Sequence, residues 1–391
     1  MATVHPLLDR EKQQQARRYE QEKRILGLTD SLISLALLLA VYFSGFSHRL
    51  AHLAPEQPVV AAFLIYIVVL IIIFTLAELP LGYFSGYVRE RHWGFSNQTP
   101  GAWLVDQVKA LGLSLVLAPL LLGLLFWIMA VAPIWWWLYT GLATALVGVV
   151  FTTIFPVLIL PIFNKYTPID DDELTGRLER ILLQAGLKSS GFFMEDLSRR
   201  TKKENAFLAG LGRTRRVVLS DNLLRNMSMA EIEVVIAHEV GHYRYRHIWK
   251  NLFVGTLQQL IVFFLLDWLM RTLFSAFPGP TRWNLTLFPV FVLLMGAISG
   301  FLFGPLGNAL SRHFERQADR SALELVPDRR SFLAAMAGLA NRNLSNAYPA
   351  RWIKWLYYSH PPIGERLAAG EAYQASSNPD VKINHISTKL S

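Results

Sequence analysis

Six long apolar runs restrict what this chain can fold into. They cover roughly Leu28–Phe46, Val59–Leu79, Leu111–Val131, Ile134–Pro161, Leu252–Phe274 and Leu285–Leu306. Each is long enough, or nearly so, to cross a hydrocarbon core of about 30 Å. Inside lipid every backbone N–H and C=O must find its partner within the segment, so such runs read as helices. Buried helices of a large soluble protein do not account for runs of this length and closeness. Only 17% of the 391 residues are charged, and the mean hydropathy is +0.31. The expectation is a mainly α, polytopic membrane protein with about six transmembrane helices.

The net charge of +9 is unevenly spread. Arg10, Lys12, Arg17, Arg18, Lys23 and Arg24 precede the first run, and Arg89 and Arg91 follow the second. Lys165, Arg177, Arg180, Lys188, Arg199, Arg200, Lys202 and Lys203 follow the fourth. The regions after runs one, three and five hold little beyond Arg49, Arg271 and Arg282. The positive-inside rule therefore puts both termini and the large hydrophilic segment in the cytoplasm. The basic excess reads as topology and contact with the lipid bilayer, with no nucleic-acid motif beside it. The chain has no cysteine, so any metal must be held by His, Asp or Glu. The N-terminus does not read as a cleavable signal peptide, because its polar lead is too long.

The hydrophilic segment Phe163–Lys250 carries the strongest chemical signal, His238-Glu239-Val240-Gly241-His242. Residues four apart share a helix face, so His238 and His242 can present two imidazoles to one Zn²⁺ while Glu239 reaches a bound water as general base. The motif lies in a helix predicted over Ala230–Arg246, started by a capping box of Ser228 and Glu231. That helix is expected to run on through His247 and Trp249 into span five, which puts the site at the membrane boundary. Before it, Asp171–Ala185 reads as an amphipathic helix. Gly191–Met194, Asn205–Gly210 and Arg215–Leu219 read as short strands, the last two joined through a turn at Leu211–Thr214. Together these features predict a small α+β, zincin-like metalloprotease domain on the cytoplasmic side.

A catalytic zinc takes three protein ligands and keeps one position open. Glu315, on a helix leaving span six, is the third-ligand candidate. Asp319, one turn further, is placed to accept a ring N–H from a ligating histidine. Glu78, near the end of span two, is read as a group that has reached the interface. Met1–Arg24 is expected to lie along the membrane surface and feed span one. The chain thus divides into a basic N-terminal segment (1–27), a four-helix membrane region (28–162) and the motif segment (163–250). Spans five and six (251–308), a C-terminal helical part of the catalytic domain (309–375) and a loose tail (376–391) complete it.

Across roughly Tyr19–Leu367 the chain resembles the type I CAAX prenyl proteases, which are integral-membrane zinc metalloproteases. The resemblance rests on Pro161–Lys165, Asn205–Phe207 with Arg215–Asp221, His238–His242, Ser311–Asp319, and His360-Pro361-Pro362 with Glu365-Arg366-Leu367. It implies one zinc per chain on His238, His242 and Glu315, with Glu239 activating water. It further implies that Asn205, Ala206 and Phe207 lie on an edge strand that receives substrate, and that His360 and Arg366 hold substrate or stabilise the transition state. The implied substrate is a peptide or protein C-terminus that is lipidated or membrane-associated. Such proteases have seven spans around an intramembrane chamber, one more than the apolar runs here. Their substrate strand usually carries an aromatic pair where this chain has Phe207-Leu208. Two other readings remain open at this point: a heat-shock-type membrane quality-control metalloprotease, and a catalytically silent membrane scaffold. Val59–Pro161 weighs against the first and an intact Glu239 against the second.

Overall fold

The computed structural model describes residues 4–53, 59–210, 215–274 and 281–373. The predicted turn at Leu211–Thr214 and the tail from Ser376 lie outside them. Among the described residues, six helices are long and apolar enough to cross a membrane: Arg10–Phe43, Val59–His92, Pro100–Val131, Trp136–Phe163, His247–Leu273 and Phe288–Leu325. All six coincide with the apolar runs, and most continue past them into polar sequence. Three contain a π-helical turn, at Phe84–Val88, Phe155–Ile159 and Ile298–Phe303. The second of these turns holds Pro156, which cannot donate a backbone hydrogen bond.

Two expectations require correction, and one is extended. The basic N-terminal segment feeds span one, as expected, as the first turns of the same helix, Arg10–Phe43. One face of it is buried, with Gln13, Ala16 and Tyr19 covered. Gln13 is tied to the catalytic domain through Ser345 O and Ala347 N, at 3.1 and 3.0 Å. Glu78 does not mark a helix end, since the helix runs on to His92; its carboxylate accepts from Ser34 Oγ of span one at 2.5 Å. The motif helix also stops at Arg244 instead of entering span five. Arg246 adopts φ 56°, a left-handed conformation that ends a helix, and span five starts afresh at His247.

The polar segment folds as predicted, with one addition. The amphipathic helix covers Asp172–Gln184 and buries Leu174, Leu178, Ile181 and Leu182. The sheet has four strands: β1 (Tyr166–Pro168), β2 (Phe192–Glu195), β3 (Ala206–Ala209) and β4 (Arg216–Ser220). Their order is β1-β2-β4-β3, with β2 and β4 parallel and both outer pairs antiparallel. Three residues holding a proline gave β1 no alternation by which to be recognised. The core beneath the sheet joins Leu178, Leu219, Ile236 and Phe332, each fully buried. Burying such side chains contributes about 1.5–3 kcal/mol apiece, which anchors the motif helix Met229–Arg244 from below. Its N-terminus carries the expected capping box of Ser228 and Glu231.

Candidate active site

Two helices make the floor of the site. The motif helix supplies His238, Glu239 and His242; the helix Gly304–Leu325, which continues span six, supplies Glu315 and Asp319. Their close approach depends on Gly241. A Cβ there would lie 2.9 Å from Ala318 Cα and 3.0 Å from Ser321 Cβ, closer than carbon atoms pack without displacement. With hydrogen at this position the helices meet backbone to backbone, and a carboxylate of the second reaches the imidazoles of the first.

Hydrogen bonding then fixes which atoms face inward. His238 Nδ1 lies 2.9 Å from Asp319 Oδ1; the carboxylate only accepts, so the ring N–H donates to it. In neutral His238 that leaves Nε2 with a bare lone pair. It stands 3.3 Å from Glu315 Oε2 and 3.3 Å from His242 Nε2. His242 Nε2 is 3.4 Å from Glu315 Oε1. Lone pairs converging at this distance repel unless a cation sits among them. A tetrahedral site with bonds of about 2.0–2.1 Å separates its ligand atoms by about 3.3–3.4 Å; the two ring nitrogens, and the Glu315 carboxylate with one oxygen towards each ring, lie at such spacings, a set that can hold such an ion. Glu315 Oε2, buried and without a hydrogen bond among the described residues, fits it as well. Burial alone would lower the His238 pKa, yet the hydrogen bond to Asp319 and the adjacent Glu315 carboxylate outweigh it and raise the pKa to about 9 in the metal-free chain. A proton there does part of the work of a metal.

The other predicted residues gather around these three side chains. Glu239 lines a cavity of about 740 Å³ that also takes in His238, Glu315, Asn205, Ala206 and His360. Burial pushes its carboxyl pKa up, against the pull of the two histidines. His360 stands at the rim, 60% exposed, with Nε2 3.3 Å from Glu315 Oε1. Arg366 is turned inward: its Nε donates to Asp319 Oδ2 at 2.9 Å, and a second guanidinium nitrogen donates to Oδ1. Asp319 is thereby held from one side by Arg366 and from the other by His238.

Asn205 and Ala206 border the catalytic cavity, whereas Phe207 borders a separate apolar cavity of about 480 Å³ beside Tyr243 and Phe155. β3 is an edge strand. The Asn205 carbonyl accepts from Ser220 N at 2.9 Å, so by alternation the backbone groups of Ala206 and Leu208 point to the outer edge, where Leu208 O accepts from the Tyr243 hydroxyl at 3.3 Å. Sequence reasoning passed over Tyr243, whose hydroxyl donates to Gly210 O at 2.8 Å and borders that edge. It also missed the N-terminal helix, whose Tyr19, Glu20 and Lys23 form part of the cavity wall. The i, i+3, i+6 spacing of Gln13, Ala16 and Tyr19 was the available signal for a buried face.

Comparison with known proteins agrees with this geometry. Residues 2–165 match the family described as CAAX prenyl protease N-terminal, five membrane helices, and residues 168–374 match peptidase family M48. Among the described residues, the first of these stretches holds four candidate spans. A Bacillus subtilis protein named uncharacterized metalloprotease YhfN is 31% identical over 310 residues, covering 78% of this chain and 72% of the relative. The CAAX prenyl protease 1 of Saccharomyces cerevisiae is 32% identical over 312 residues, covering 75% and 69%. The crystal structure of S. mikatae Ste24p superposes with a TM-score of 0.83 at 28% identity, covering 94% of this chain and 91% of that one. With both halves matched in order and the histidine–glutamate triangle in place, the chain belongs to peptidase family M48 and is a multi-pass membrane metalloprotease of the CAAX prenyl protease kind.

Proposed function

We propose that His238, His242 and Glu315 hold one Zn²⁺ and that the enzyme cleaves membrane-associated or lipidated peptides near their C-termini, on the cytoplasmic side. The observation that carries this reading is the convergence of the His238 and His242 Nε2 atoms and the Glu315 carboxylate at 3.3–3.4 Å, with Asp319 behind His238. A zinc ion bound there supplies Lewis acidity, which polarises a scissile carbonyl and acidifies water. Glu239 takes a proton from the attacking water and returns it to the leaving amine. His360, at the rim above Glu315, donates a hydrogen bond to the developing oxyanion. Arg366 acts one step back by holding Asp319, and so the His238 ring, in place.

An extended peptide pairs with the free edge at Ala206, which orients the scissile bond with little demand on its sequence. The six spans and the basic segments on one side support a site at the inner membrane boundary. There, each buried CH₂ of a lipid chain adds about 0.8 kcal/mol of attraction. The test compares a farnesylated CAAX peptide with its unlipidated twin in liposomes, each with and without chelator and with Glu239→Gln. Cleavage should need metal, fall by about 10²–10⁴-fold in Glu239→Gln, and favour the lipidated peptide through apparent affinity. Equal rates for both peptides at all concentrations would remove the lipid from the proposal. Parental turnover by Glu239→Gln would remove its general base.

A further inference from the structure

His238 has a carboxylate behind it; His242 has something else. His242 Nδ1 lies 3.0 Å from Nδ1 of His247, and His247 Nε2 lies 2.9 Å from Gln317 Oε1. Gln317 Nε2 in turn lies 3.1 Å from His313 Nε2. His247 is 1% exposed, and its ring stacks on Phe314 with centroids 4.3 Å apart and planes at 13°. We propose that His247 and Gln317 are positioning residues for His242. They select the ring tautomer whose Nε2 presents a lone pair to the metal, as Asp319 does for His238. This rests on the metal reading above.

The direction of each bond follows from the chemistry of its end. Gln317 Oε1 can only accept, so His247 Nε2 carries the hydrogen. A neutral imidazole has one N–H, so His247 Nδ1 is left as an acceptor. His242 Nδ1 must then donate to it, which leaves His242 Nε2 bare and aimed at Glu315 and His238. Reversing the Gln317 amide would reverse every bond in the row. His242 Nε2 would then carry a hydrogen pointing into the metal position, and that arrangement cannot bind. The other end of the amide is consistent with the first direction, since Gln317 Nε2–H donates to His313 Nε2.

The backbone is built for this contact. On an unbroken helix a residue five places after His242 would sit about 140° round the axis, away from its ring. The left-handed Arg246 breaks the helix between them. The chain restarts at His247 with its ring folded back against His242, and Phe314, the neighbour of Glu315, covers it. One break thus separates the soluble domain from span five and supplies the backing for a metal ligand.

The test uses the full-length protein loaded with Zn²⁺ and follows metal transfer to a chromogenic chelator. His247→Phe keeps a flat ring on Phe314 but removes the acceptor, and should weaken zinc retention about 10–100-fold. His247→Asn restores an acceptor oxygen near the Nδ1 position and should recover most of that loss. Parental retention in His247→Phe overturns the inference while leaving the metal reading intact. Equal loss in both variants overturns it too, because packing alone would then explain the defect. A parent protein that holds no zinc overturns both readings. Histidine ¹⁵N spectra of the unmutated protein in bilayers give a reading independent of any variant's folding. His242 should carry its hydrogen on Nδ1 and His247 on Nε2, and the opposite pair of tautomers overturns the assignment.

Discussion

The floor and the rim of the catalytic cavity are built by different rules. On the floor, His238, Glu315 and Asp319 are all under 9% exposed and sit on two helices locked together at Gly241. There Asp319 sets the direction of the His238 ring from behind, and Arg366 holds Asp319. At the rim, His360 is 60% exposed and precedes a short helix (Ile363–Ala372), while the N-terminal helix closes the far wall through polar side chains. The buried helices hold the floor groups against one another, and the exposed rim opens to solvent. Damage to the floor should therefore abolish the centre, whereas damage to the rim should slow it.

The largest effect expected from a single methyl group is Gly241→Ala. The new Cβ would sit 2.9 Å from Ala318 Cα, so the two helices must part. Overpacking of this kind costs about 1–3 kcal/mol. A displacement near 1 Å between Glu315 and the histidines costs on the order of 10²-fold in activity, and metal retention should fall with it. Normal metal content together with normal activity in this variant would show that the floor tolerates movement, and the contrast with the rim would fail.

A smaller effect is expected from His360→Ala. Losing an oxyanion donor in a dry site costs about 10²–10³-fold, but a donor this exposed competes with water, so about tenfold on kcat is the expectation. Metal content and thermal stability should stay at the parental level. Loss of metal in His360→Ala would move this residue from rim to floor.

Much of this division was legible in the sequence, for identifiable reasons. Spacing along one helix made His238, Glu239 and His242 visible, and the same four-residue step exposed Glu315 and Asp319. Apolar length revealed the spans. What stayed hidden depended on contacts between distant segments. Nothing local to Arg366 indicates that its guanidinium would be spent on Asp319. The burial of Tyr19 follows from its bonds to Glu90 and Lys203, far away in the chain. Gly241 reads as an ordinary helix residue until the second helix is laid against it. His247 was misplaced because helix periodicity was carried through Tyr245 and Arg246. No proline or glycine marks the break there, and a positive φ at arginine leaves no trace in composition.

The finest test of the floor is its response to pH without metal. In the metal-free chain the His238 pKa stands at about 9, against about 6.5 for an unperturbed histidine. Burial works against the proton, and Asp319 and Glu315 hold it. A group whose folded pKa lies above its unfolded value contributes stability that is fully present below the unfolded pKa and disappears as pH rises through the folded one. The His238 contribution should therefore be fully present below about pH 6.5 and be lost progressively towards pH 9 and beyond. Burial also raises the Glu239 pKa, which adds a loss of the same sign as pH rises. One pKa unit corresponds to about 1.4 kcal/mol, so a loss of about 1–3 kcal/mol, read as a few degrees in Tm, is the expected size. With zinc bound, the ion replaces the proton among the same three side chains, and the slope across this window should flatten. Equal slopes with and without metal would mean that proton and metal do not share a place. The two histidines and Glu315 would then lose their claim to be the binding site, and the floor would be no more specialised than the rim.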